Sequence, residues 1–152
     1  VRLFAALAAF ALLACSPQPA AEATPAKAAN PSRHPVSGLE VIPLTVTIRG
    51  GSHRFMVEVA ATPAQQQPGM GPNEGMIFPN SVPQVRSFWM RNTVIPLDII
   101  YIGPDRRILN IARGEPYDET SLPSAGPVIN VLEIRGGRSA ELGIAPGDLV
   151  EW

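Results

Sequence analysis

Two carboxylates in apolar surroundings are the residues of this chain best placed to do chemistry. Asp98 interrupts the run Leu97-Asp98-Ile99-Ile100-Tyr101-Ile102, and Glu133 sits within Val128-Ile129-Asn130-Val131-Leu132-Glu133-Ile134. A carboxylate there must be paired, hydrogen-bonded or neutralised, because stranding its charge costs several kcal/mol. Two such groups in one cleft could divide acid–base work between them. Glycoside hydrolysis would hold them roughly 5–9.5 Å apart, and sequence spacing does not say whether they meet. Just upstream runs Arg86-Ser87-Phe88-Trp89-Met90-Arg91-Asn92-Thr93. Arg86, Trp89, Met90, Arg91, Asn92, Thr93 and Asp98 form a candidate binding set, with Glu133 arriving from a neighbouring strand. In this reading Trp89, Arg91, Asn92 and Asp98 line a pocket. The structural alternative has Asp98 accepting backbone amides from the Asn92-Thr93 turn, with Arg86 or Arg91 as its ion-pair partner.

Other chemistries find little support. The histidines, His34 and His53, have no ligand spacing, and Cys15 is the sole cysteine, which argues against zinc. Met56, Met70, Met76 and Met90 offer soft thioethers suited to Cu(I), but core packing is the commoner fate of methionine. No glycine-rich phosphate loop and no Ser-His-Asp arrangement is present. Neither metal nor cofactor is expected.

Short strands must position the block. Residues 39–48 and 55–59 alternate about Gly50-Gly51 and read as a hairpin. Thr62-Pro63 followed by Ala64-Gln65-Gln66-Gln67 reads as a capped short helix. Residues 75–78 and 85–90 read as strands, the second placing Phe88 and Met90 on one face and Ser87, Trp89 and Arg91 on the other. Residues 97–102 form a strand buried on both faces, returning after Gly103-Pro104-Asp105 through residues 107–111. Residues 128–134, one helical turn at 138–142 stopped by Gly143, and a last strand at 149–152 complete the domain. This pattern predicts a mainly β, minor-helix domain, a small closed or partly closed β-barrel with one or two short helices.

The chain before the domain reads differently. Residues 3–14 are uninterrupted apolar residues ending at Cys15, too short to span a bilayer but suited to a signal-peptide core. Leu12-Leu13-Ala14-Cys15 reads as a lipoprotein processing site. Residues 1–14 are thus expected to be a signal peptide, and 15–37 a lipidated Cys15 with a Pro/Ala-rich tether. Residues 38–152 form a single globular domain. The membrane is reached through the lipid, and Ser16 after the cysteine favours the outer membrane, facing the periplasm. With 12 basic and 13 acidic side chains, net charge −1, nucleic acid is not an expected partner.

Gly75-Met76-Ile77-Phe78, the block Ser87-Phe88-Trp89-Met90-Arg91-Asn92-Thr93 with Ile95-Pro96-Leu97-Asp98, Ala125-Gly126-Pro127 before Val131-Leu132-Glu133, and Leu142-Gly143-Ile144 with Pro146-Gly147-Asp148 occur in this order. In these motifs residues 54–152 resemble the bacterial and archaeal family called domain of unknown function 192. The resemblance implies a small, mainly β domain, often exported, and implies no activity. The chain departs from the family pattern at residues 66–72, where the resemblance implies a longer stretch with a basic residue before Gly-Leu-Met and a further turn; these residues are compressed and lack the basic residue and the leucine. The expected role is a non-catalytic accessory module binding a small ligand or an envelope partner. The rivals are a hydrolase-like enzyme using Asp98 and Glu133, and a structural envelope lipoprotein.

Overall fold

Period-two alternation of β-branched residues builds the first hairpin, and its register fixes everything that follows. The computed structural model describes residues 32–61 and 70–152. The signal-peptide run, Cys15, most of the tether and the short helix expected at 62–67 lie outside the described residues. Strand β1 (Ser32–Arg33) precedes β2 (Glu40–Ile48) and β3 (Gly51–Val59). β2 and β3 pair antiparallel from Val41 opposite Glu58 to Ile48 opposite Gly51, around the turn expected there. β1 pairs with Val41 and Glu40, so the fold takes in residues just before the expected start at 38. Ser37 Oγ donates to the Glu58 carboxylate and Arg33 donates to the Gly38 carbonyl, which explains why these residues are held on the domain.

The remaining strands are β4 (Glu74–Gln84), β5 (Ser87–Phe88), β6 (Leu97–Ile102), β7 (Ile108–Gly114), β8 (Leu122–Pro123), β9 (Val128–Arg135) and β10 (Leu149–Glu151). The strand expected at 85–90 is reduced to Ser87–Phe88, which pairs only with β8. The main sheet runs β1-β2-β3-β4-β9-β6-β7, with β10 also pairing β2. β3 and β4 pair in parallel, Met56 opposite Glu74 and Val59 opposite Ile77. The expected barrel is not closed by a ladder: β7 and β10 meet at a single isolated bridge, Arg107 opposite Leu149.

Hydrophobic burial occurs on both faces of the central strands. Leu44, Phe55, Val57, Ile100, Leu132 and Ile134 belong to one cluster; Met76, Phe78, Phe88, Met90, Ile99 and Tyr101 belong to a second. All six residues of β6 are buried, as its near-continuous apolar run requires. Between β9 and β10 lies α1 (Arg138–Leu142). It ends at Gly143, whose φ of 69° is a left-handed conformation that glycine adopts without the usual steric cost.

Candidate functional site

The block 86–93 is held by alternation. Phe88 turns inward, edge-on to Phe78 at 5.4 Å and to Tyr101 at 6.2 Å between ring centroids. Met90 also turns inward and lies against Gly114, where an added Cβ would stand 2.6 Å from the sulfur. Trp89 between them must therefore face out, and it remains 54% exposed. The Arg91 guanidinium lies 4.6 Å above the Trp89 ring and donates to Glu119 at 2.8 Å. Asn92 is exposed, whereas Thr93 is buried within the turn.

A second loop, residues 115–121, locks onto the first. Met90 N–H donates to Asp118 O at 2.7 Å, and Tyr117 N–H donates to Thr93 O at 3.2 Å. Asp118 Oδ1 accepts the Thr120 amide at 2.8 Å, and hydrogen bonding from the Thr120 side chain first, with this amide second, holds its carboxyl below its ordinary value. Tyr117 has a φ of 62°, uncommon for a bulky side chain, and the residue is 64% exposed. Trp89, Tyr117 and the exposed Val94 thus project from two cross-bonded loops. Sequence reasoning missed Tyr117. Its one local signal is a lone aromatic among Glu115, Asp118 and Glu119.

Asp98 is buried and satisfied, but not as expected. Its Oδ1 accepts the Gly137 amide and its Oδ2 the Ser139 amide, each at 2.8 Å. Its nearest cation is Arg113, at 3.5 Å, rather than Arg86 or Arg91. The amides come from the start of α1, not from the Asn92-Thr93 turn. The physical reason is that α1 has no side-chain cap of its own, since Gly137 occupies that position. Asp98 supplies the missing acceptor from β6. Arg86 is half-buried elsewhere, its backbone paired with Ser124 and its Nε without a hydrogen-bond partner.

Glu133 does not join Asp98. It stands opposite Ile99 across the β6–β9 ladder, while Asp98 stands opposite Ile134. Paired residues share a face and successive residues alternate, so the two carboxyls lie on opposite faces of the sheet. Glu133 is 2% exposed, and burial pushes its carboxyl up to about 8. Tyr101 on the same face rises to about 12, chiefly through burial, against a hydrogen bond from Phe88 and with the Glu133 charge adding to the rise. The Tyr101 hydroxyl donates to the Leu122 carbonyl.

Among the described residues no cluster of three or more His, Cys, Asp or Glu is arranged to hold a metal. His53 Nε2 lies 3.1 Å from the Leu142 carbonyl, a structural contact beside α1. Met76 and Met90 are buried in the second cluster, with Met70 packed against it, whereas Met56 is exposed. An open depression of about 340 Å³ adjoins Asp98, lined also by Ile111, Arg113, Ser139, Ala140 and Ile144.

Comparison with known proteins places this chemistry in a family. The model of DUF192, described as an uncharacterized ACR, matches residues 44–152. The chain belongs to this family. A solved structure of a protein of unknown function from Novosphingobium aromaticivorans is 56% identical with a TM-score of 0.77, covering 85% of this chain and 97% of that one. Another, from Sinorhizobium meliloti 1021 and provisionally described as a transcription regulator, is 31% identical with a TM-score of 0.70, covering 74% of this chain and 94% of that one. The search of curated proteins gave no match.

Proposed function

We propose that the protein is a non-catalytic binding module that engages a small ligand or an envelope partner through Trp89, Arg91, Asn92 and Tyr117. The observation that carries this reading is the exposure of Trp89 and Tyr117 on two loops joined by main-chain hydrogen bonds. Rigid aromatics beside an arginine are the side chains that contribute most at recognition surfaces. Presenting them on joined loops lowers the ordering cost of binding. The separation of Asp98 from Glu133 removes the carboxylate pair on which a hydrolase reading depended.

In the same proposal the chain is exported and lipid-anchored through Cys15, at the outer membrane facing the periplasm. The apolar run ending in Leu-Leu-Ala-Cys supports the anchor. The single bridge between β7 and β10 supports a partly closed barrel, open at that seam. The regulator description of the Sinorhizobium relative is not carried over. A net charge of −1 offers no electrostatic footprint for nucleic acid.

The test is a thermal-shift screen of the full chain against metabolites, metals and cell-wall fragments, run beside Trp89→Ala and Tyr117→Ala. A compound that raises the melting temperature of the parent and not of either variant is expected. Silence across the screen, or equal shifts in all proteins, would defeat the small-ligand reading. For the anchor, Cys15→Ser should move the protein from the membrane to the soluble fraction; unchanged membrane association would refute it.

A further inference from the structure

A third buried carboxylate, Glu58, lies where the chain enters the domain. It is 8% exposed. It stands opposite Val41 of β2 and Met76 of β4, so its side chain shares their face of the sheet. Ser37 Oγ donates to one of its oxygens, and His34 Nδ1 lies 3.7 Å from the other. A local turn brings these groups to it. His34 N–H donates to Leu39 O and Gly38 N–H to His34 O, each at 2.9 Å. Gly38 takes a φ of 70° there. Arg33 donates to Gly38 O, and β1 pairs with Glu40 and Val41. Leu39 packs against the second cluster and anchors the far end of the turn.

His34 Nδ1 has two competing uses. Its lone pair accepts the Val36 and Ser37 amides at 3.4 and 3.3 Å, both long for hydrogen bonds. The same nitrogen faces the Glu58 carboxylate, to which it can donate only when protonated. Val36 and Ser37 are exposed, so water takes their amides when Nδ1 gains a proton. Glu58 is buried, so its charge gains more from an adjacent cation than an exposed carboxylate would. A charge-assisted hydrogen bond is also roughly twice as strong as a neutral one. The proton on His34 therefore tightens the contact.

We propose that Ser32–Gly38 is a pH-dependent clasp, closed by protonated His34 on Glu58 and loosened when His34 is neutral. An imidazole changes charge between about pH 5 and 8, so the clasp works in that range. Closed, it makes the N-terminal segment leave the domain at Ser32. Open, the segment leaves at Leu39, which adds at most about 25 Å of reach at 3.3–3.6 Å per residue. The other charged groups on the packed elements are Arg33, Glu40 opposite it, Arg54 on β3, Glu74, which accepts the Gly71 amide, and Glu133, beyond Met76 on the same face. Glu133, pushed up to about 8 by burial, titrates in an overlapping range. The clasp is separate from the Trp89 and Tyr117 surface and holds whether or not Cys15 carries a lipid.

The experiment is electron paramagnetic resonance of a nitroxide attached at Val36→Cys. The full chain carries Cys15→Ser, so that one thiol is labelled. Val36 is 79% exposed, so the label leaves the clasp contacts in place. The mobile fraction of the label is expected to rise about threefold from pH 5.5 to pH 8.0. That rise should vanish in His34→Gln and in Glu58→Gln, and persist in Glu133→Gln. Should Glu58→Gln fail to fold, Ser37→Ala serves instead, with a larger mobile fraction at both pH values and the rise retained. Equal mobility of the parent at the two pH values would overturn the proposal, as would greater mobility at pH 5.5. A rise that survives His34→Gln, or is lost in Glu133→Gln, would assign the response to another group and overturn it too.

Discussion

Asp98 and Glu133 occupy neighbouring strands of one sheet, are about equally buried, and have opposite consequences for the fold. Asp98 reaches the uncapped start of α1 and accepts two backbone amides that would otherwise lack an acceptor. Glu133 faces the second apolar cluster between Met76 and Ile99, and burial dominates its chemistry. The difference teaches that burial of a carboxylate does not by itself mark a reacting group. What decides its role is the set of donors brought to it. Here one carboxylate organises a junction, and burial pushes the other toward its neutral form.

The comparison breaks most visibly at Asp98. Asp98→Ala leaves the Gly137 and Ser139 amides without their acceptor, and is expected to destabilise the protein by about 2–4 kcal/mol in urea unfolding. A change no larger than that of an exposed-site substitution would mean that water replaces the carboxylate at no cost. The next largest effect is expected at Glu133. In the unfolded chain this carboxyl ionises near its ordinary value of 4.5, and in the folded protein near about 8. The folded state therefore holds the proton more tightly. Its stabilising contribution is complete below about pH 4.5 and is lost as pH rises through about 8. Glu133→Gln should flatten the stability–pH profile across that window and leave the variant more stable than the parent on the alkaline side. A parallel profile in parent and variant would contradict the assignment.

Smaller effects sharpen the contrast. Arg113→Ala removes a long, half-exposed contact to Asp98, and should cost at most about 1 kcal/mol. A loss as large as that of Asp98→Ala would show that the ion pair, and not the amides, secures the carboxylate. Ser139→Ala deletes a hydroxyl without a partner while keeping the amide that binds Asp98. It should shift stability by no more than about 0.5 kcal/mol, as read by the melting temperature.

Local parts of this design were legible in the sequence, and relations between distant residues were not. The β2–β3 hairpin followed from its alternation and glycine turn, and the end of α1 from Gly143. The outward face of Trp89 followed from the inward pull of Phe88 and Met90. The donors of Asp98 stand 39 and 41 positions away, so no local pattern announces them. The two carboxyls were separated by the β6–β9 register, since a shift of one residue in that ladder would have put them on the same face. The parallel pairing of β3 with β4 has no local signature either. Tyr117 escaped because its prominence comes from its backbone angle and from main-chain bonds to the 89–93 loop.

The most direct test of the separation of the two carboxylates is a carbon-detected NMR titration of the Glu133 side chain in the parent and in Asp98→Asn. The structure predicts one transition with a midpoint near about 8 in both proteins, because the groups lie on opposite faces. A two-step titration, or a midpoint that moves when Asp98 is neutralised, would make them a coupled pair and restore the acid–base reading.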